Sequence, residues 1–315
     1  MAEVLVTVKC TVFNHEPYLR RCLDGFVKQY TNFSFEVLVH DDASTDKSKL
    51  IIQEYAERYP TIIKPMYETE NQYTKGGFYR IIKLMNKHIH GKYIAICEGD
   101  DFWIDPYKLQ KQVDYMESHP NCGLVYTKMY QLDQKTGKVA LGWAHQSSFE
   151  EIITQDNPIC TPTVLIRKSI YDEFYSKVPI DFSWKMADLP LWLYISHETD
   201  IKCLSDITTT YRSLENSASH STNLGKMMQF TYSAYEISKF FANYFQRFNM
   251  LPKIHVYFQN NLFKLSKQYN QNISLDIMKF AIKSRTVSIR LLVKCLLYSF
   301  RFGRKMLKMK QVLCS

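Results

Sequence analysis

Lys92-Tyr93-Ile94-Ala95-Ile96-Cys97 runs directly into Glu98-Gly99-Asp100-Asp101. A short apolar run bounded by turn residues reads as a buried strand, and this one ends on a cluster of acids. The pattern also occurs upstream. Phe35-Glu36-Val37-Leu38-Val39-His40 is strand-like and runs into Asp41-Asp42-Ala43-Ser44-Thr45-Asp46. Nearer the start, Val4 to Val12 is rich in β-branched residues and leads into the loop Asn14-His15-Glu16. Thr61 to Tyr67 supplies a further strand.

Helical spacing fills the intervals. Leu19, Cys22, Leu23 and Phe26 mark a helix over Pro17 to Gln29, and Lys47 to Arg58 forms a second, with Ser44 or Thr45 as its cap. A polar loop, Glu68 to Gly77, precedes a helix that ends near His90-Gly91. Alternating strands and helices predict an α/β fold with a mainly parallel sheet flanked by helices. Ligands of such sheets sit at the carboxyl ends of the strands. Both acid turns are therefore expected on one sheet edge.

Downstream, Pro106 to Glu117 is expected to be helical and Gly123 to Tyr126 a short strand. Residues 127–150 suggest a hairpin turning at Lys135-Thr136-Gly137, and Ile159 to Arg167 another strand. Asp188 to Ser196 reads as a helix with Pro190 in its first turn. Ile201 to Tyr211 supplies late strands, and beyond about Asn223 nearly everything has helical character. The expected organisation is a catalytic domain over 1–220, divided into a nucleotide-binding half (1–105) and an acceptor half (106–220). A helical basic extension follows over 221–315.

The net charge of +9 is concentrated at the end: Lys253 to Ser315 holds 13 Lys/Arg and one acid, Asp276. The eight cysteines are scattered without a CxxC pair, which speaks against a zinc knuckle and suits a reducing cytoplasm. Met1-Ala2-Glu3 does not open a signal peptide, and no run of 18 apolar residues occurs. GxxxxGK[ST], GxGxxG and GxSxG are all absent. Adjacent carboxylates at a strand end suit a hard divalent cation, Mn²⁺ or Mg²⁺, which bridges to phosphates.

Three stretches, in order, resemble the family 2 glycosyltransferases, inverting enzymes with the GT-A fold. They are Val6 to Leu19, Val37 to Asp46 and Gly91 to Asp101. Glu98 to Gln112 is similar to bacterial polysaccharide-assembly members. The resemblance covers residues 1 to about 215. It implies a nucleotide-sugar donor, a UDP-sugar being favoured, and a glycan or lipid-linked glycan acceptor. Asp42 would contact the base, with Asp41 supporting it. Asp100 would face ribose or metal, and Asp101 would bind the metal. Lys75 is expected near the donor phosphates or simply in solvent. Trp103 is expected as a sugar platform. Arg212 or His220 would meet phosphate or metal. Asp188, in Lys185-Met186-Ala187-Asp188, matches the family's general base; its other reading is a helix cap. Glu98 stands where the family commonly has Asp.

On a helix over Ile289 to Lys310, the basic residues Arg290, Lys294, Arg301, Lys305 and Lys308 gather opposite an apolar sector. That pattern predicts an anionic membrane surface as partner for 285–310, on the inner face of a bacterial plasma membrane. No nucleic-acid motif accompanies the charge. The rival readings are a nucleotidyltransferase acting on sugar phosphates and a non-catalytic membrane-surface scaffold. The former ordinarily needs a Gly-rich phosphate loop near the N-terminus, and Phe13-Asn14-His15-Glu16 offers none.

Overall fold

The computed structural model describes residues 3–215, 221–283, 287, 289–297 and 299. The chain separates into two compact units. One comprises Met1–Ile152 with Asp156–Glu215, and the other Ile153–Gln155 with Asn216–Ser315.

The first unit is built on a sheet of nine strands among the described residues, ordered β3-β2-β1-β4-β8-β6-β9-β5, with β7 beside β6. Strands β1 (Val4–Val12), β2 (Ser34–Asp41), β3 (Ile63–Tyr67) and β4 (Tyr93–Ile96) pair in parallel. They are joined by helices α1 (Glu16–Val27), α2 (Ser48–Arg58) and α3 (Gln72–Asn86). Apolar side chains are buried on both sheet faces, as expected where helices cover both. Val6, Val8 and Cys10 of β1 and Leu19, Leu23 and Phe26 of α1 are fully buried. Each such large side chain contributes roughly 1.5–3 kcal/mol.

The second half departs from a purely parallel design. Strand β8 (Leu165–Arg167) runs antiparallel to β4 and to β6 (Cys122–Asp133). The short strands β5 (Phe102–Trp103) and β7 (Val139–Leu141) are antiparallel to β9 (Asp200–Ser213) and β6 respectively. Only β6 and β9 are parallel there. The sheet is therefore mixed. Helices α4 (Lys108–Ser118), α6 (Lys168–Lys177) and α7 (Asp188–Glu198) belong to this unit, as does the start of α5 (Phe149–Thr154).

Two expectations are corrected. The strand expected over 159–167 shrinks to its last three residues because Thr161–Thr163 winds into a 3-10 turn with Pro162 at its start. The loop expected over 68–77 ends early. Asn71 caps a helical turn at Gln72 by accepting the Thr74 N–H at 2.8 Å. That turn is broken at Gly76-Gly77, where Gly77 has φ +64°, a left-handed conformation that favours glycine.

The second unit is helical: α8 (Leu224–Tyr244), α9 (Leu251–Gln268) and α10 (Ser274–Lys283). Its core is aromatic, with Tyr235, Phe258 and Phe280 at centroid separations of 4.4 to 5.0 Å. No helix among the described residues is long and apolar enough to cross a membrane.

Candidate active site

The parallel strands deliver three loops to one sheet edge. Backbone bonds fix the loops beside β1: Asp42 N–H donates to the Val12 carbonyl at 2.9 Å, and Gly99 N–H to the Thr11 carbonyl at 3.0 Å. Gly99 is needed there, because a Cβ would meet His15 Nδ1 at 2.8 Å and Val12 Cγ2 at 2.9 Å.

The loop 41–46 is stitched to the loop 14–16. Asn14 N–H donates to Ser44 Oγ at 2.9 Å, Thr45 N–H to Asn14 Oδ1 at 2.8 Å, and Glu16 N–H to Asp46 Oδ2 at 2.9 Å. Asp46 also accepts the Ser48 N–H at the start of α2. Neither Ser44 nor Thr45 caps that helix; Lys47 occupies the cap position. Asp42 accepts the N–H groups of Gln72 at 2.6 Å and Tyr73 at 3.0 Å, so its carboxylate anchors the first turn of α3. Asp41 is 1% exposed, and its Oδ1 is buried without a hydrogen-bond partner.

The loop 98–101 is held differently. Asp101 is buried, and its Oδ1 accepts the Arg212 backbone N–H at 2.6 Å. Arg212 Nε donates to the Asp100 carbonyl at 2.7 Å, its guanidinium lies 4.6 Å over the Tyr18 ring, and Nη1 bonds Gln134. Arg212, expected at phosphate or metal, is thus placed at the acid turn, where β9 uses it as a strut.

Electrostatics mark this loop as short of positive charge. Burial pushes the Glu98 carboxyl up to about 7, with Asp100 and Asp188 adding repulsion and Lys9 opposing it. Burial, then Asp100 and Glu98, holds Asp101 well above the usual carboxylate range. Asp188 is the first residue of α7, and Ala187, not Asp188, occupies the cap position. Burial raises the Asp188 carboxyl, against the pull of N–H groups in its own helical turn. Glu98 and Asp188 repel one another, and the Cys160 thiol feels Asp101, Glu98 and Asp188 together. Acids 87 residues apart in sequence, Asp101 and Asp188, thus act on the same buried thiol through their charges.

Trp103 is corrected: it is 4% exposed, its indole N–H donates to the Pro162 carbonyl at 2.9 Å, and its ring packs edge-on against Phe26 at 4.7 Å. Lys108 Nζ covers it at 4.4 Å, so the ring is core and not a sugar platform. Lys75 is half-exposed and ion-paired with Glu70, one helical turn from the Asp42 anchor. His220 lies outside the described residues, as does much of 285–310.

Two residues at the site are additions to the sequence reading. Lys9, 4% exposed, donates from Nζ to Tyr171 Oη at 2.7 Å and Asn86 Oδ1 at 2.9 Å. Burial lowers its ammonium to about 7, and Glu98 pulls it back up. A lysine inside the apolar strand Val4 to Val12 was the available signal. His15 has a buried Nδ1 without a hydrogen-bond partner. Burial lowers its imidazole against Asp100, Asp46 and Asp41.

Comparison with known proteins follows the same ground. The family described as "Glycosyl transferase family 2" matches residues 7–173. An uncharacterised protein of Mycobacterium tuberculosis is 32% identical over 207 residues, 64% of this chain and 56% of that protein. The chain therefore spans little more than half the length of that relative. The amylovoran biosynthesis glycosyltransferase AmsE of Erwinia amylovora is 25% identical over 195 residues, covering 61% of this chain and 69% of AmsE. Among solved structures, residues 1–349 of TarS from S. aureus in complex with UDP-GlcNAc superpose with a TM-score of 0.56 at 18% identity, covering 89% of this chain and 88% of that one. A mannosyltransferase of Pyrobaculum calidifontis in complex with GDP-Man and Mn²⁺ gives 0.58 at 14% identity, over 93% and 79%. These likenesses show the GT-A fold.

Proposed function

The chain belongs to glycosyl transferase family 2, and from that premise we propose that it moves a sugar from a nucleotide-diphosphate donor to a glycan hydroxyl. The observation that carries the reading is the acid turn 98–101 held at the carboxyl edge of β1, with Gly99 N–H on the Thr11 carbonyl at 3.0 Å, and the charge of Asp188 felt by Glu98 across the site. In this reading Asp41 and Asp42 border the base, with Lys75 nearby, and Asp100 and Asp101 border the diphosphate. A UDP-sugar is the favoured donor, in keeping with the UDP-GlcNAc complex of TarS. The kinship with AmsE favours an acceptor in bacterial surface polysaccharide synthesis.

The donor set suits a divalent cation. Carboxylate oxygens are hard ligands, and Asp101 and Glu98 carry repulsion that Arg212 and Lys9 relieve only in part. Among the described residues no three His, Cys, Asp or Glu side chains converge on one point. An open site completed by substrate phosphates fits that arrangement. Asp101 and Asp100 would hold the ion, which when bound neutralises charge on the departing diphosphate.

Asp188 takes the proton of the acceptor hydroxyl. The freed oxygen bonds to the anomeric carbon, the bond from that carbon to the diphosphate oxygen breaks, and the nucleoside diphosphate leaves from the opposite face. A raised carboxyl is a stronger base than an ordinary one, which suits the task. Asp188→Asn should lower transfer by roughly 10²–10⁴-fold while donor binding, read by calorimetry, stays within threefold. Normal transfer by this variant refutes the base assignment.

Membrane contact belongs to the same reading. Ile289, Leu292, Val293, Leu296 and Leu297 are exposed on a helical stretch over 289–297 that also carries Arg290 and Lys294. Leu292→Asp with Leu296→Asp should abolish co-flotation with vesicles rich in phosphatidylglycerol; undiminished flotation rejects the contact.

A further inference from the structure

We propose that Phe182 and Tyr79 form a subsite for one pyranose ring of the acceptor glycan, a refinement that rests on Asp188 being the base. Phe182 is 77% exposed, and no other large apolar side chain among the described residues of the first unit stands further into solvent. Leaving such a ring in water forfeits roughly 1.5–3 kcal/mol of burial, which a bound ring face could recover.

The ring is nonetheless held in place. It stands edge-on to Tyr79 at 5.7 Å and 89°. Tyr79 is itself 7% exposed, and its hydroxyl donates to the Met186 carbonyl at 3.5 Å. The same hydroxyl feels the charges of Asp188 and Asp181, which raise it above its ordinary range after burial has done so. Tyr79 thus ties α3 to the segment 181–188 near both of its ends. The segment begins in a tight turn: Trp184 N–H donates to the Asp181 carbonyl at 3.1 Å, and Ser183 N–H to Asp181 Oδ1 at 2.8 Å. Phe182 sits on this turn, six residues before the base.

The surroundings select the occupant. Asp181, Ser183 and Lys185, neighbours of Phe182 in the chain, are exposed too. A hydrocarbon chain wants a continuous apolar trough. A sugar ring has one face of C–H groups and a rim of hydroxyls, and that matches one aromatic ring set among polar side chains. A glycan seated on Phe182 would lie along the segment that leads into α7, whose first residue is Asp188.

The test uses the full chain in four forms: wild type, Phe182→Ala, Phe182→Trp and Asp188→Asn. Soluble gluco-, galacto- and N-acetylglucosamine oligosaccharides are titrated by saturation-transfer NMR, and UDP with Mn²⁺ by calorimetry. Wild type should bind at least one oligosaccharide, with saturation strongest on the C–H protons of one ring. Phe182→Ala should weaken this about tenfold, Phe182→Trp should restore it, and Asp188→Asn should retain it. UDP affinity should stay within twofold in every variant.

Failure of all oligosaccharides to bind wild type, or equal binding by Phe182→Ala, overturns the subsite. An equal loss of UDP affinity in Phe182→Ala overturns it too, since the effect is then on the fold. Phe182-dependent binding of a sugar-free polyprenyl phosphate rejects the sugar as occupant. Normal transfer by Asp188→Asn instead refutes the base, an outcome the binding data do not share.

Discussion

The two acid turns use the same residue types in opposite ways. In 41–46, Asp42 and Asp46 spend their carboxylates on backbone N–H groups, and Ser44 and Asn14 lace the turn to its neighbour. Such charge-assisted bonds stabilise a loop and leave it rigid. In 98–101, the charges of Glu98, Asp100 and Asp101 act on one another, with the Arg212 N–H and guanidinium and the Lys9 ammonium as partial relief. The first turn is a scaffold whose acids are satisfied except at Asp41 Oδ1. The second stores a charge imbalance that a bound cation or substrate can relieve.

Substitutions should separate the two roles. Asp101→Asn should cut transfer by roughly 10²-fold or more yet preserve or raise the melting temperature of the metal-free protein, because repulsion is removed. A large drop in that temperature would put Asp101 among the scaffold acids. Asp46→Ala should do the reverse, costing about 1–3 kcal/mol in denaturant unfolding, with kcat changed far less than by Asp101→Asn. Gly99→Ala should cost about 1–3 kcal/mol by overpacking, since Val12 and the His15 ring must give way.

The smallest effect is electrostatic and lies beneath the sites. Burial lowers the Lys108 ammonium to about 7. The unfolded chain then binds more protons than the folded one between about pH 7 and 10.5, so this group makes stability rise with pH across that window. Lys108→Met should remove up to about 1.4 kcal/mol per pH unit of that rise, read between pH 7 and 8.5 before the buried thiols titrate. An unchanged slope would mean that the ammonium keeps its ordinary value in the fold.

The turns were legible because each acid cluster follows an apolar strand, and parallel alternation put both on one edge. The direction of the later strands was not legible. Hydrophobic pattern reports which face is buried, and β8 and β9 look alike by that measure although one is antiparallel to β6 and the other parallel. Trp103 was misread for a related reason: proximity in sequence to the acids says nothing about which side of the turn a residue occupies. Trp103 lies in the core behind the turn and Arg212 braces it. Lys9 was hidden because its partners Asn86 and Tyr171 come from distant helices. Asp188 was legible only through the family resemblance, and its company with Cys160 emerges only in three dimensions.

Asp42 meets α3 through main-chain N–H groups of Gln72 and Tyr73. That bond reads the path of the backbone and is blind to the side chain it belongs to. Tyr73 is 47% exposed, so the outer surface at this position is open to mutational drift, with the anchor left intact by nineteen of the twenty residue types. Proline alone lacks the donor. The segment can therefore be re-sculpted toward new ligands over generations without renegotiating the fold beneath it.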